Sequence, residues 1–157
     1  MVRTWAPIGE TPILRHKLTR DHLSAISAVS PEGKLFLRVQ EDSFNSLGII
    51  GFLEQLQQQI AGKLLILWDG APIHRSRLIK GYLAAGAAAR IHLERLPGYA
   101  PDLNPDEGIW HYLKHVEMKN LCCGDMAHLH RELSAAQGRL EHKPEIIKAC
   151  FEQVGYL

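Results

Sequence analysis

With 157 residues, 46% of them hydrophobic and 22% charged, the chain has the size and apolar content of one globular domain with a buried core. Its 18 Lys and Arg against 17 Asp and Glu leave a net charge of +1, which excludes a general attraction to polyanions and requires any nucleic-acid contact to come from a local cluster. Cys122, Cys123 and Cys150 include no CxxC and suit neither a disulfide framework nor a common zinc knuckle, and no apolar run approaches a membrane span or an export signal, so a soluble protein of a reducing cytoplasm, with no membrane partner, is expected.

In chain order, Trp5 to Pro12 is punctuated by Pro7, Gly9 and Pro12, and a short extended piece, Ile13 to Leu18, is expected after it. Leu23 to Val29 and Leu35 to Val39, separated by the turn sequence SPEGK, read as an antiparallel hairpin. From Ser43 the apolar period lengthens: Phe44, Leu47, Ile50, Phe52 or Leu53, Leu56 and Ile60 predict an amphipathic helix, capped by Ser43 and ending near Gly62. Lys63 to Trp68 follows as a strand, and its unbroken apolar run Leu64 to Trp68 predicts burial on both faces. A helix over about Ser76 to Ala89, weakened by Gly81 and Gly86, and a strand over Arg90 to Leu96 complete a strand, helix, strand unit. Beyond a loop rich in Pro and Gly come three helical segments, Pro105 to about Asn120, Asp125 to Glu141 and Pro144 to Val154, the last with Pro144 at a favourable first position. No repeat, low-complexity tract or linker interrupts the chain, so residues 1–157 are expected to form a single domain of the α/β class.

Two carboxylates stand out. Asp69 ends the apolar strand, where open α/β sheets place their ligands, and Glu107 lies in the first turn of the helix after the Pro-rich loop. A right-handed crossover would return both to one end of the sheet. Carboxylates so placed hold Mg²⁺ or Mn²⁺ through hard oxygen ligands, and a pair of such ions clamps the attacking and leaving oxygens of an in-line phosphoryl displacement. Plainer readings compete. Asn104 as N-cap and Pro105 at the first helical position make Glu107 a capping-box glutamate, Asp69 before Gly70 is also a turn-former, and His74 can satisfy a loop carbonyl. Trp110 and Leu113, with Ile109 and Val116, form an apolar helix face that reads as core.

The strings WDGAPIHRS and LPGYAPDLNPDEGIWHYLK, the second combining Leu96, Pro97, Tyr99, Pro101, Leu103, Asn104, Pro105, Glu107, Trp110 and Lys114 in order, resemble the signature of the endonuclease domain of DDE-superfamily transposases, in the insertion-sequence and mariner-like branch. Weaker likeness runs from TWAPIGETP to the helical tail after LKHVEMKNL. The resemblance implies a ribonuclease H-like mixed sheet flanked by helices, two-metal catalysis with Mg²⁺ or Mn²⁺, and cleavage and joining of DNA at transposon terminal inverted repeats and target DNA. Asp69 matches the family's second catalytic acid, Glu107 its third and His74 the recurrent histidine after the second acid, with Asn104 in support near the site. Lys114, two helical turns beyond Glu107, is a candidate for a DNA phosphate contact, as are Arg75, Arg77 and Lys80, although all four also suit a solvated surface.

The sequence departs from the family pattern at Ala100, where serine is frequent, and at Asp106, where an aliphatic residue stands; the extra carboxylate of Asp106 could serve as a secondary ligand, although adjacent helix residues point about 100° apart. The family's first acid belongs to a strand upstream of the TWAPIG-like segment, and its helix-turn-helix region lies further upstream. A truncated catalytic domain lacking the first strand is therefore expected, incomplete or inactive unless Asp21, another copy or a full-length transposase supplies the missing acid. The resemblance also allows a non-catalytic remnant that binds DNA or full-length transposase. A zinc-stabilised structural protein is a further alternative, suggested by His111, His115, Cys122, Cys123, His128 and His130. The implied setting is a prokaryotic cytoplasm, at the nucleoid when acting.

Overall fold

The computed structural model describes residues 6–10, 22–98 and 100–157; the expected extended piece at Ile13 to Leu18, Asp21 and Tyr99 lie outside the described residues. Strands β1 (Ser24–Val29) and β2 (Leu35–Gln40) pair antiparallel, Val29 opposite Leu35, about the turn at residues 30–34. Gly33 closes that turn at φ 89°, and a Cβ there would lie 2.7 Å from the Cβ of Pro144, so the turn packs where only glycine fits. Helix α1 (Ser46–Gln59) is capped by Asn45, whose side chain accepts from the Gly48 N–H, and not by Ser43. Its buried face is Ile49, Phe52, Leu53 and Leu56, and Leu47, expected on that face, is 65% exposed.

Strand β3 (Leu64–Trp68), helix α2 (Arg77–Ala84) and strand β4 (Ile91–Arg95) follow as the strand, helix, strand unit, with β3 and β4 parallel and Leu64 opposite Ile91. The expected helix to Ala89 stops at Ala84; Gly86, at φ 127°, ends it, and a single 3₁₀ turn, Ala87–Ala89, leads into β4. Helix α3 (Pro105–Tyr112) runs into a π-helical turn, Leu113–Glu117, and the chain finishes with α4 (Met126–Glu141), capped by Asp125, and α5 (Pro144–Gln153).

The hairpin divides two apolar cores. Phe36 of β2 joins Ile49, Phe52, Leu53 and Leu56 of α1, Leu64 of β3, Ile79 of α2 and Ile91 of β4 in one. Leu35 joins Ile109, Leu113, Ala136, Leu140, Ile147 and Phe151 in the other, against α3, α4 and α5. Strand β2 thus buries side chains on both of its faces, whereas β3, expected to do so, does not. Its Leu64, Ile66 and Trp68 pack on the first core, while Leu65 and Leu67 on the opposite face are 66% and 40% exposed. The apolar run in β3 was a faithful signal of a strand and a poor one of its second face, which no helix covers among the described residues. Val116, expected in the core, is 54% exposed, because the π-helical turn shifts it off the face that carries Ile109 and Leu113. The result is an α/β architecture of two small sheets, one antiparallel and one parallel, flanked by helices.

Candidate functional site

A cleft of about 930 Å³ runs between β1 and β3 and reaches the first turn of α3; Asp69, His74, Asn104 and Glu107 all border it. Asp69 is presented by the end of β3. Its Oδ1 accepts from the Ala71 N–H at 2.9 Å, an Asx turn that throws the chain into the 3₁₀ turn Pro72–Arg75. The turn-former reading of Asp69 is therefore correct as far as it goes, but it engages one oxygen only, and the side chain is 66% exposed.

The same turn folds His74 back over Trp68, with ring centroids 4.3 Å apart and planes inclined by 22°, and brings its Nε2 to 3.1 Å from Asp69 Oδ1. Burial holds the imidazole pKa below its ordinary value, against the charge and hydrogen bond of Asp69, which act to raise it. The ring is accordingly neutral at pH 7 and donates from Nε2 to Asp69. Its Nδ1, buried and without a partner among the described residues, is then a bare lone pair, a smaller loss than a buried N–H.

Glu107 owes its place to the cap of α3. Asn104 Oδ1 accepts from the Asp106 N–H at 3.1 Å, and the Glu107 N–H donates to the Asn104 carbonyl. The expected Asn cap is present, but the capping box is not closed. The Glu107 carboxylate is exposed and makes no hydrogen bond or ion pair with the described residues.

Sequence reasoning noticed Asp106 beside it as an extra carboxylate and a candidate secondary ligand, but not its inward direction or its partner Ser27. Asp106 turns inward, where Oδ2 accepts from Ser27 Oγ at 2.6 Å and from Trp110 Nε1 at 3.0 Å, while Oδ1 is buried without a partner among the described residues. Burial raises its pKa, the two hydrogen bonds lower it, and the neighbouring Glu107 charge adds to the rise. Half of this cluster has a local signal, since Asp106 and Trp110 are one helical turn apart. Ser27 has none, lying 79 positions away.

Of the candidate phosphate contacts, Lys114 is exposed outside the cleft lining, with Nζ 5.7 Å from the centroid of Trp110, a residue that lines the cleft. Arg75, Arg77 and Lys80 are exposed on the turn and on α2, outside the cleft lining. His111 and His115 lie with ring centroids 4.5 Å apart and planes tilted by 41°, and the three cysteines are unpaired, but no three His, Cys, Asp or Glu side chains converge on a metal position among the described residues. The zinc-stabilised alternative gains no support. Among the same residues, no helix is long and apolar enough to cross a membrane.

The family model for DDE superfamily endonucleases matches residues 2–122, more than half of the chain. The chain belongs to this family. Comparison with solved structures finds the same fold in a Mos1 strand transfer complex (14% identity, TM-score 0.61, 98% of this chain and 49% of that one). It is found again in a Mos1 transposase paired-end complex with the left transposon end (16%, 0.61, 98% and 50%) and in a Mos1 mariner paired-end complex with Mn (16%, 0.59, 97% and 50%). The chain thus spans about half the length of the transposase chains it matches. No curated protein sequence matches it. The family membership and the shared fold place the ribonuclease H-like class, expected from the motif resemblance, on independent footing.

Proposed function

We propose that this chain is the catalytic domain of a DNA transposase, in which Asp69 and Glu107 hold a divalent cation for phosphodiester cleavage and strand transfer at transposon ends. The observation that carries the reading is that these two carboxylates, each with an oxygen free of partners among the described residues, border one cleft in a member of the DDE superfamily endonucleases. The donor chemistry fits: two carboxylates offer hard oxygens suited to Mg²⁺ or Mn²⁺, and they leave most coordination positions to water and phosphate oxygens. When bound, such an ion would polarise a phosphodiester oxygen and make a bound water or hydroxyl a better nucleophile.

The remaining work belongs to the chain's own residues. His74 holds Asp69 by a hydrogen bond to Oδ1, leaving Oδ2 for a ligand. Asn104 fixes the start of α3 and with it Glu107. Lys114, against the cleft-lining Trp110, meets a phosphate of bound DNA, with Arg75, Arg77 and Lys80 as outlying phosphate contacts. Titration of the protein with Mn²⁺, followed by electron paramagnetic resonance, tests the centre of the proposal. Binding is expected to weaken at least tenfold, on the order seen when a ligand's support is lost, in Asp69→Asn and in Glu107→Gln. Mn²⁺ binding that is indifferent to both substitutions would overturn it. Nicking of supercoiled DNA, dependent on Mn²⁺ and on both acids, would show that the two carboxylates suffice without a third, whereas binding without nicking is the outcome expected if a further acid must be supplied by another chain or by a longer polypeptide.

A further inference from the structure

We propose that Asp106 is a positioning residue for Glu107, acting by clamping the first turn of α3 to strand β1 through Ser27. The inference rests on the reading of Glu107 as a metal ligand. Asp106 and Glu107 are neighbours on one helical turn and point about 100° apart, so fixing the direction of one fixes the other. The Asn104 cap settles where the helix begins, but its bonds lie within the α3 turn itself and do not set how the helix is rotated about its axis. The Ser27 to Asp106 hydrogen bond, at 2.6 Å, ties the turn to a different element. Trp110, one turn further along, donates to the same oxygen and locks the Asp106 side chain from behind.

The arrangement has a cost that packing alone does not explain. The carboxyl lies between Ser27 and the Trp110 indole, and its Oδ1 is buried with no partner among the described residues, a loss that an aliphatic side chain would avoid. A buried polar group with one unmatched atom beside a candidate ligand is what support of that ligand looks like, since groups behind a metal-binding side chain orient it through such bonds. Both Ser27 and Asp106 border the same cleft as Asp69 and Glu107.

The test is Mn²⁺ affinity in Asp106→Asn, Asp106→Leu and Ser27→Ala, with thermal melts alongside. Asn keeps an acceptor for both donors and is expected to bind Mn²⁺ within about threefold of the parent. Leu and Ser27→Ala are expected to lose about tenfold or more, the usual scale for removing a ligand's support. Leu133→Ala, a buried site on α4 outside both the cleft lining and the core that seats α3, is expected to lower the melting temperature and leave Mn²⁺ affinity unchanged. Folded Asp106→Leu and Ser27→Ala proteins that bind Mn²⁺ like the parent would overturn the inference while leaving the proposed function intact. Should Asp106→Leu fail to fold, Ser27→Ala decides, because it removes the clamp without touching the apolar core. A parent protein whose Mn²⁺ binding ignores Asp69→Asn and Glu107→Gln refutes the functional reading, and the positioning role falls with it.

Discussion

Two carboxyl groups on one helical run, Asp106 and Glu117, are both largely withdrawn from water and meet opposite fates. Glu117, with a side chain 7% exposed, accepts from Arg139 Nε at 2.6 Å on one oxygen and from Lys143 Nζ at 2.7 Å on the other, and these bonds hold its pKa below the ordinary value. Asp106 has two neutral donors on one oxygen and none on the other, and burial pushes its pKa up. Glu117 joins the π-helical turn to α4 and to the residue before α5, so its full complement of cations closes the helical layer. Asp106 faces the cleft. A carboxyl whose oxygens are both matched by cations serves the fold, whereas one that is half matched by neutral groups costs stability and needs another reason to be there.

The strongest way to break the contrast is to remove what both groups lean on. Ile109 is fully buried between them, on the face that packs against α4 and α5. Ile109→Ala is expected to cost about 2–5 kcal/mol in urea unfolding, the range for a large aliphatic side chain deleted from a core. A cost below about 1 kcal/mol would mean that the helix is not anchored as described.

The next effect is smaller and differs in sign at the two ends. Glu117 has a folded pKa below its unfolded value near 4.5, so its contribution is present above that value and is lost as pH falls through the folded one. Glu117→Gln is therefore expected to be less stable than the parent at neutral pH and to approach it in acid. Asp106 has a folded pKa above its unfolded value near 3.8, so its favourable contribution is complete below that value and disappears as pH rises through the folded one. Asp106→Asn is expected to match or exceed the parent's stability at neutral pH and to lose that advantage in acid. Urea midpoints measured from pH 3 to pH 8 for the two variants should diverge in opposite directions; parallel curves would remove the distinction.

The difference between these two acids also marks how far the sequence could be read. Strand β3, the parallel return to β4 and the Asn-Pro start of α3 were legible because each follows from local chemistry: an apolar run, a period and a cap. Asp69 and Glu107 were legible for the same reason, each standing at the end of such a signal. The Glu117 cluster was not, since Arg139 and Lys143 are 22 and 26 positions distant and nothing local links them. Asp106 stood out in the sequence as an extra carboxylate beside Glu107, but its inward direction and its partner Ser27, 79 positions away, were hidden more deeply, because nothing local links the two. The exposed Leu65 and Leu67 show the converse failure: an apolar run specifies a strand, but what covers each face is decided by elements elsewhere in the chain.

His74 supplies the finest test of whether burial or pairing governs the cleft end of the molecule. Like Asp106, it is pushed toward its neutral form by burial, and Asp69 at 3.1 Å opposes that push without overcoming it. Its folded pKa lies below the unfolded value near 6.5, so the stability tied to neutral His74 is present above that pH and is lost as pH falls through the folded value. The imidazole proton resonances of His74, followed by NMR, should titrate with a midpoint below 6.5 in the parent protein. Asp69→Asn removes the one group that raises the midpoint and should move it lower still, while Glu117→Gln, at the far end of the helical run, should leave it where it was. A midpoint that rises in Asp69→Asn would mean that the His74 to Asp69 contact does not hold in solution, and the carboxylate at the end of β3 would then lack the support that leaves its second oxygen free for a ligand.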